Sequence, residues 1–241
     1  MDTPVQDWQH LRHAKVWLRE HKDLELATGP LFEPARQFQD SFPFMTELLG
    51  KARRTKVKNG GNVYDLFGWT ARDGSSLEWL CPEAGLRQNK PFLHNDHRVL
   101  LQSFGGIREY WSIYEYHWLL NWYWILCENE SCLSFPPGVS GWENGWRDYY
   151  RDLCAQEWVE PIVEGSDYVT FGAEANANLL LYHRETSEVL MFIRDGAPTQ
   201  ATPLQQSKSC IDLPFHTVDR CPDLVSWVEA LARDWSRLLI V

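Results

Sequence analysis

The tightest group of side chains with ligand chemistry is His94-Asn95-Asp96-His97, two imidazoles three residues apart with a carboxylate between them. Imidazole is a common zinc ligand, so this group would hold a metal if further donors came from His117 or Cys81. That would be the kernel of a small metal-dependent hydrolase. The simpler expectation is that Asn95 or Asp96 caps a helix starting near residue 97, because short polar side chains accept from the orphan N–H groups of a first turn. The histidines are then surface residues and the chain holds no metal.

Covalent catalysis needs a Ser or Cys beside a base and an oxyanion site, and no GxSxG, Walker-type phosphate loop or GxGxxG marks one. Gly105-Gly106 follows a predicted helix, so it reads as a helix stop and not as a phosphate cradle, which precedes a helix. Carboxylate pairs exist at Glu109/Glu115 and Glu157/Glu160, but a chain with 33 acidic residues produces such pairs by chance. Glu109 and Glu115 would share a strand face and alternate with Trp111 and Ile113, as a half-buried strand does. The basic run Lys51, Arg53, Arg54, Lys56, Lys58 lacks interleaved aromatics and sits where a helix C-terminus would attract cations. The expectation is a protein that is not an enzyme, uses no cofactor and does not bind nucleic acid.

What remains is the chemistry of contact. Thirteen Trp, eleven Phe and nine Tyr are an unusual supply of large apolar area with polar tips, suited to a bulky core or to interface anchors. Candidate partner-binding residues are Trp111, Tyr114, Glu115, Tyr116, Trp122, Tyr123 and Trp142, aromatics and a carboxylate from the segment richest in both.

The elements that must position these residues fall in two parts. Residues 5–22 have helical spacing through Trp8, Leu11, Lys15 and Leu18, and 33–49 reads as a second helix interrupted at Pro43. The basic run 51–58 and Asn59-Gly60-Gly61 then read as a junction. A helical N-terminal extension over 1–60 and a main domain over 61–241 are therefore expected. In the main domain, strands are expected at 63–70 and 77–80 around a turn at Asp73-Gly74, and a helix over 96–104 precedes aromatic-rich strands at 107–118 and 118–127. Trp142 to Cys154 reads as a helix with Trp146, Tyr149, Tyr150 and Leu153 on one face. Residues 168–194 read as a β-meander. The terminal helix is the strongest signal: Pro222 suits a first turn, and Leu224, Trp227, Val228, Leu231, Trp235 and Leu238 form one apolar stripe.

Composition limits the setting. The formal charge is −10, and it is uneven: residues 1–60 hold ten Lys/Arg against eight Asp/Glu, while 61–241 hold thirteen against twenty-five. That balance disfavours nucleic acid and anionic membrane and accelerates encounter with a basic protein. No apolar run of about 18 residues and no secretory leader is evident, so a cytoplasmic location is expected. Six isolated cysteines match neither a disulfide scaffold nor a zinc ribbon, so reduced thiols are expected.

The order of features (a helix, then SFGGIREYW, an aromatic strand pair, a second helix, DYVTFGAEANANLLLYHRETSEVLMFIRDG and CPDLVSWVEALARDW) resembles the SUKH superfamily over about residues 80–238. The matching marks are Gly105-Gly106, the 168–196 segment ending in Asp195-Gly196, and the amphipathic helix at 223–236. Asn176-Ala177-Asn178 departs from the family by replacing a turn glycine with asparagine, which tolerates the left-handed conformation. The resemblance implies an α+β fold with a mostly antiparallel twisted sheet packed by helices. For bacterial members it implies an immunity role, in which the protein binds and neutralises a cognate toxin, often a nuclease and hence basic around its channel. The same superfamily includes intracellular regulatory and scaffold proteins, so the fold leaves those readings open.

Overall fold

The computed structural model describes residues 7–9, 24–59, 62–84, 93–103, 105–109, 124–127, 142–173, 178–193, 201–204 and 214–239. Strands β1 (Glu25–Thr28), β2 (Arg53–Asn59), β3 (Asn62–Thr70), β4 (Ser76–Pro82), β5 (Gly106–Glu109) and β6 (Trp124–Cys127) form one antiparallel sheet in chain order. A second antiparallel sheet holds β7 (Tyr168–Ala173), β8 (Leu179–His183), β9 (Val189–Phe192), β10 (Ala201–Pro203) and β11 (Phe215–Val218) in the order β10-β11-β9-β8-β7. Strands β6 and β7 lie in contact, so the two sheets meet along that line. Helices among the described residues include α1 (Arg36–Ser41), α2 (Pro43–Gly50), α3 (Asn95–Ser103), α4 (Trp142–Gln156) and α5 (Leu224–Ser236). The fold is α+β with antiparallel sheets, as the sequence predicts.

Period-two alternation decides which side of each sheet a strand residue serves. Phe67 and Trp69 of β3, Trp79 and Cys81 of β4, Leu180 and Tyr182 of β8, and Val189 and Met191 of β9 all enter one large core. Helices α1, α2, α3 and α5 cover that core with Phe38, Met45, Leu48, Leu100, Trp227, Leu231 and Trp235. The intervening residues of the second sheet, Leu179, Leu181, Leu190 and Phe192, face the opposite way and pack against α4. On the far face of the first sheet, Leu66 and Leu80 join Val57 and Trp8. At the heart of the large core, Trp79 lies 5.0 Å from Trp235 and 5.1 Å from Trp69, ring centre to ring centre.

The meander at 168–194 and the terminal helix take their expected places. Asp223 caps α5, its Oδ1 accepting from Ser226 N at 2.7 Å, so Pro222 stands before the cap and outside the first turn. Pro43 does interrupt the second predicted helix: it opens α2, where a missing N–H costs nothing, and Phe42 joins it to α1. The helix over 96–104 is present as α3, and the glycine step after it is demanded by geometry. Gly106 has φ +136, and a Cβ on Gly105 would come within 2.7 Å of the Glu83 carbonyl oxygen.

The expected division at residue 60 is corrected by the structure. Residues 53–59 are a strand and not a junction, paired with β3 in register from Arg53↔Gly68 to Asn59↔Asn62, so the proposed boundary falls inside a hairpin. Phe38, Phe42, Met45, Leu48 and Leu49 are buried in the core that α5 also fills. The described residues 36–59 are therefore part of the same hydrophobic and sheet-paired unit. Of the first predicted helix only 7–9 are described; they are helical, with Trp8 and Asp7 buried.

Candidate protein-binding surface

His97 is fully buried on α3, which corrects the expectation of a surface residue. Its Nδ1 lies 3.0 Å from the Tyr182 hydroxyl, and the two rings meet edge to face. The same hydroxyl accepts from His94 N at 3.3 Å, while His94 Nδ1 lies 3.3 Å from Asp96 Oδ2. Helix α3 begins at Asn95, so His94 and not Asn95 or Asp96 occupies the capping position, with Nδ1 3.4 Å from Asp96 N. This unit ties α3 to β8. Among the described residues no three His, Cys, Asp or Glu side chains converge as a metal site. Burial and the nearby Asp65 carboxylate hold the Cys81 thiol well above its usual range, against the opposing pull of Arg54. His117 lies outside the described residues.

The basic run is already neutralised within the fold. Lys51 meets Glu47 at 2.7 Å, Arg53 meets Asp7 at 2.6 Å, Arg54 and Lys56 meet Asp65 at 2.9 and 3.0 Å, and Lys58 meets Glu25 at 2.9 Å. The three pairs made by the buried carboxylates of Asp7 and Asp65 are more than surface pairs. The Asp7 carboxylate is buried and takes both Nε and Nη2 of Arg53 as well as Ser76 Oγ. Gly68 beneath it leaves room that any Cβ would fill, since such an atom would sit 2.4 Å from Asp7 Oδ2.

Among the described residues, α4 and the loop after it present a surface with unspent contact chemistry. Trp146, Tyr150 and Cys154 recur every fourth residue and bury one stripe of α4 against the second sheet, with Tyr150 and Phe215 at 4.7 Å ring to ring. The opposite face exposes Asp148, Tyr149, Arg151, Asp152, Ala155 and Gln156, and the chain continues exposed through Glu157, Trp158, Glu160, Pro161 and Ile162. Residues 142–167 carry seven carboxylates against two arginines. Of the two, Arg147 turns inward, donating from Nε to Gly165 O at 2.8 Å and from Nη2 to Tyr168 O at 3.0 Å. Arg151 lies beside Asp148 at 3.4 Å, an exposed pair of small energetic weight.

The loop is fastened to the helix it follows. The Tyr150 hydroxyl accepts from Ile162 N at 2.8 Å and from Val163 N at 3.4 Å. Burial of the ring raises the Tyr150 pKa, so the phenol keeps its proton at neutral pH. A Schellman turn closes α4: Val159 N donates to Cys154 O at 3.0 Å, and Trp158 N to Ala155 O at 3.4 Å. Val159 folds back onto the α4 core and Val163 is buried in it. Trp158, between them and the helix, is 95% exposed; Tyr149 and Ile162 are 44% and 41% exposed.

Most of the contact residues chosen from sequence cannot be compared with this surface: Trp111, Tyr114, Glu115, Tyr116, Trp122 and Tyr123 lie outside the described residues. Trp142 opens α4, where its backbone alone is described. Tyr149, expected on the buried face of α4, instead lies at its margin, against Phe192 on one side and solvent on the other. Glu157 and Glu160, considered as an acid–base pair, are both exposed and flank Trp158 and Val159 in sequence. Sequence reasoning missed Trp158 because EWVEPI continues the helical pattern of α4 without a glycine to mark the turn. The chain matches no protein-family model, no curated protein and no solved structure. No described helix is long and apolar enough to cross a membrane.

Proposed function

We propose that this chain is a SUKH-like immunity protein that acts in the cytoplasm by binding and neutralising a basic toxin domain, without catalysis and without a cofactor. The observation that carries the reading is the exposed surface of α4 and its loop, where exposed carboxylates are interspersed in sequence with displayed aromatic and aliphatic side chains. A nuclease or other polyanion-binding toxin is basic around its channel. An acidic surface steers it into encounter, and aromatic anchors then slow its release. Further support comes from the order of elements that carries the SUKH resemblance: α3 followed by the Gly105-Gly106 step, the β7–β9 meander, and the terminal helix α5.

The test is co-expression with the reading frame adjacent to the gene for this chain. The expected result is a neighbour whose basic terminal domain arrests growth alone and is silenced when this chain is made with it. A basic neighbouring toxin that arrests growth equally in its presence would overturn the proposal.

A further inference from the structure

We infer that Trp158 is the anchor of the interface proposed above, the side chain that enters an apolar slot on a basic partner protein. The inference rests on that reading and adds to it which residue makes the central contact and what the partner must offer. Trp158 stands at the position after the last turn of α4 with φ +56, a left-handed conformation that glycine adopts without cost. For an L residue the Cβ crowds the neighbouring carbonyl, which is why Schellman turns favour glycine there. Tryptophan is among the least suited residues to this position, and no contact among the described residues compensates. The apolar contact of the turn is made by Val159, and the core beneath α4 is filled by Trp146, Tyr150, Cys154 and Val163. Trp158 itself is 95% exposed. Its indole stabilises neither the turn nor the core, and the fold would be firmer with glycine.

The surroundings define the partner. Glu157 and Glu160 sit on either side of Trp158 in sequence, and Asp152 and Glu164 extend the exposed carboxylates along the helix and loop. A second copy of this chain would bring like charges together. A folded domain with an apolar slot rimmed by Lys or Arg satisfies both the indole and the carboxylates. The loop is already fastened through Tyr150 and Arg147, so docking orders little additional backbone.

The experiment uses the full chain with a photo-crosslinking residue at position 158, at exposed Asp148 and Asp152 on α4, and, as a control, at exposed Arg220 in the turn before α5. Irradiated cells are expected to yield an adduct with one basic protein from 158 and none from 220. That protein, purified, is expected to bind Trp158→Gly at least about 30-fold more weakly and Trp158→Phe nearly as well as the parent. Trp158→Gly itself is expected to melt about 2 °C higher than the parent. A basic partner captured through Asp148 or Asp152 that binds Trp158→Gly with parental affinity overturns the anchor and leaves the proposed function standing. A Trp158→Gly variant that melts lower, or an adduct from 158 to a second copy or to an acidic protein, also overturns it. No basic protein captured from any of these positions removes both readings.

Discussion

The carboxylate of Glu229 on α5 accepts the backbone N–H of Met45 at 3.1 Å and that of Phe44 at 2.9 Å, capping α2 from 184 residues away. Helix α2 needs this, because Phe42 at its own capping position provides no side-chain acceptor. The negative charge also lies at the positive end of the helix dipole. Glu229 is only 5% exposed, so its removal strands donors that water reaches poorly. Glu229→Ala is expected to lower stability by about 2–3 kcal/mol, and Glu229→Gln, which keeps one acceptor oxygen, by roughly half as much. Urea midpoints at unchanged slope measure both; equal midpoints for all three proteins would show that the cap contributes nothing.

The same contact ties α2 to α5, so removal of the segment that holds α2 is expected to disrupt the fold. Deleting residues 1–58 removes β1, nearly all of β2, and α1 and α2 with Phe38, Phe42, Met45, Leu48 and Leu49 from the large core. It also leaves Glu229 buried with no donors from α2. The truncated chain is expected to lose cooperative thermal unfolding and to bind a hydrophobic dye. A sharp calorimetric transition in that fragment would restore the two-part organisation that the composition implies.

The strands and helices that are legible in the sequence are those whose own residues carry the periodicity. Leu179 to Tyr182 alternate between two cores, and Leu224, Trp227, Leu231 and Trp235 form a stripe that no charge interrupts. Strand β2 hides because only Thr55 and Val57 are fully buried, while Arg53, Arg54, Lys56 and Lys58 dominate its composition. Their meaning depends on Asp7, Asp65 and Glu25, acids brought close by the fold and not by sequence. The acidic character of the candidate surface is visible in composition alone. Trp158 is not, because a left-handed turn without glycine leaves no local signal.

The terminal helix supplies a direct measure of docking. Trp227 has no exposed surface and meets Phe171 edge to face at 5.2 Å, linking α5 to β7. Trp227→Ala is expected to cost about 3–5 kcal/mol, as large-to-small core changes do. Exposed Ile162→Ser should melt within a degree or two of the parent. If Trp227→Ala unfolds at the parental temperature, α5 is not seated on the sheet as described.

Alkaline pH should loosen the core through its buried thiols. Burial, with Asp234 and Asp223 adding to it, pushes Cys221 up to about 12, and burial with Asp65 pushes Cys81 up as well. In the unfolded chain both thiols ionise at about pH 8.5. Below that value each thiol is protonated in both states, and its contribution to stability is complete. Above it the unfolded chain releases protons that the folded chain retains, so stability falls as pH rises from about 9 towards 12. Cys221 contributes a slope of about 1.4 kcal/mol per pH unit in that window, and Cys81 adds to the decline in the same direction. Urea midpoints of the parent should therefore decline steadily between pH 9 and 11, and less steeply in Cys221→Ala, whatever that variant's absolute stability. The comparison of slopes separates titration from the cavity that the substitution leaves. Identical slopes in parent and variant would mean that Cys221 ionises without unfolding, and that the region between β11 and α5 admits water.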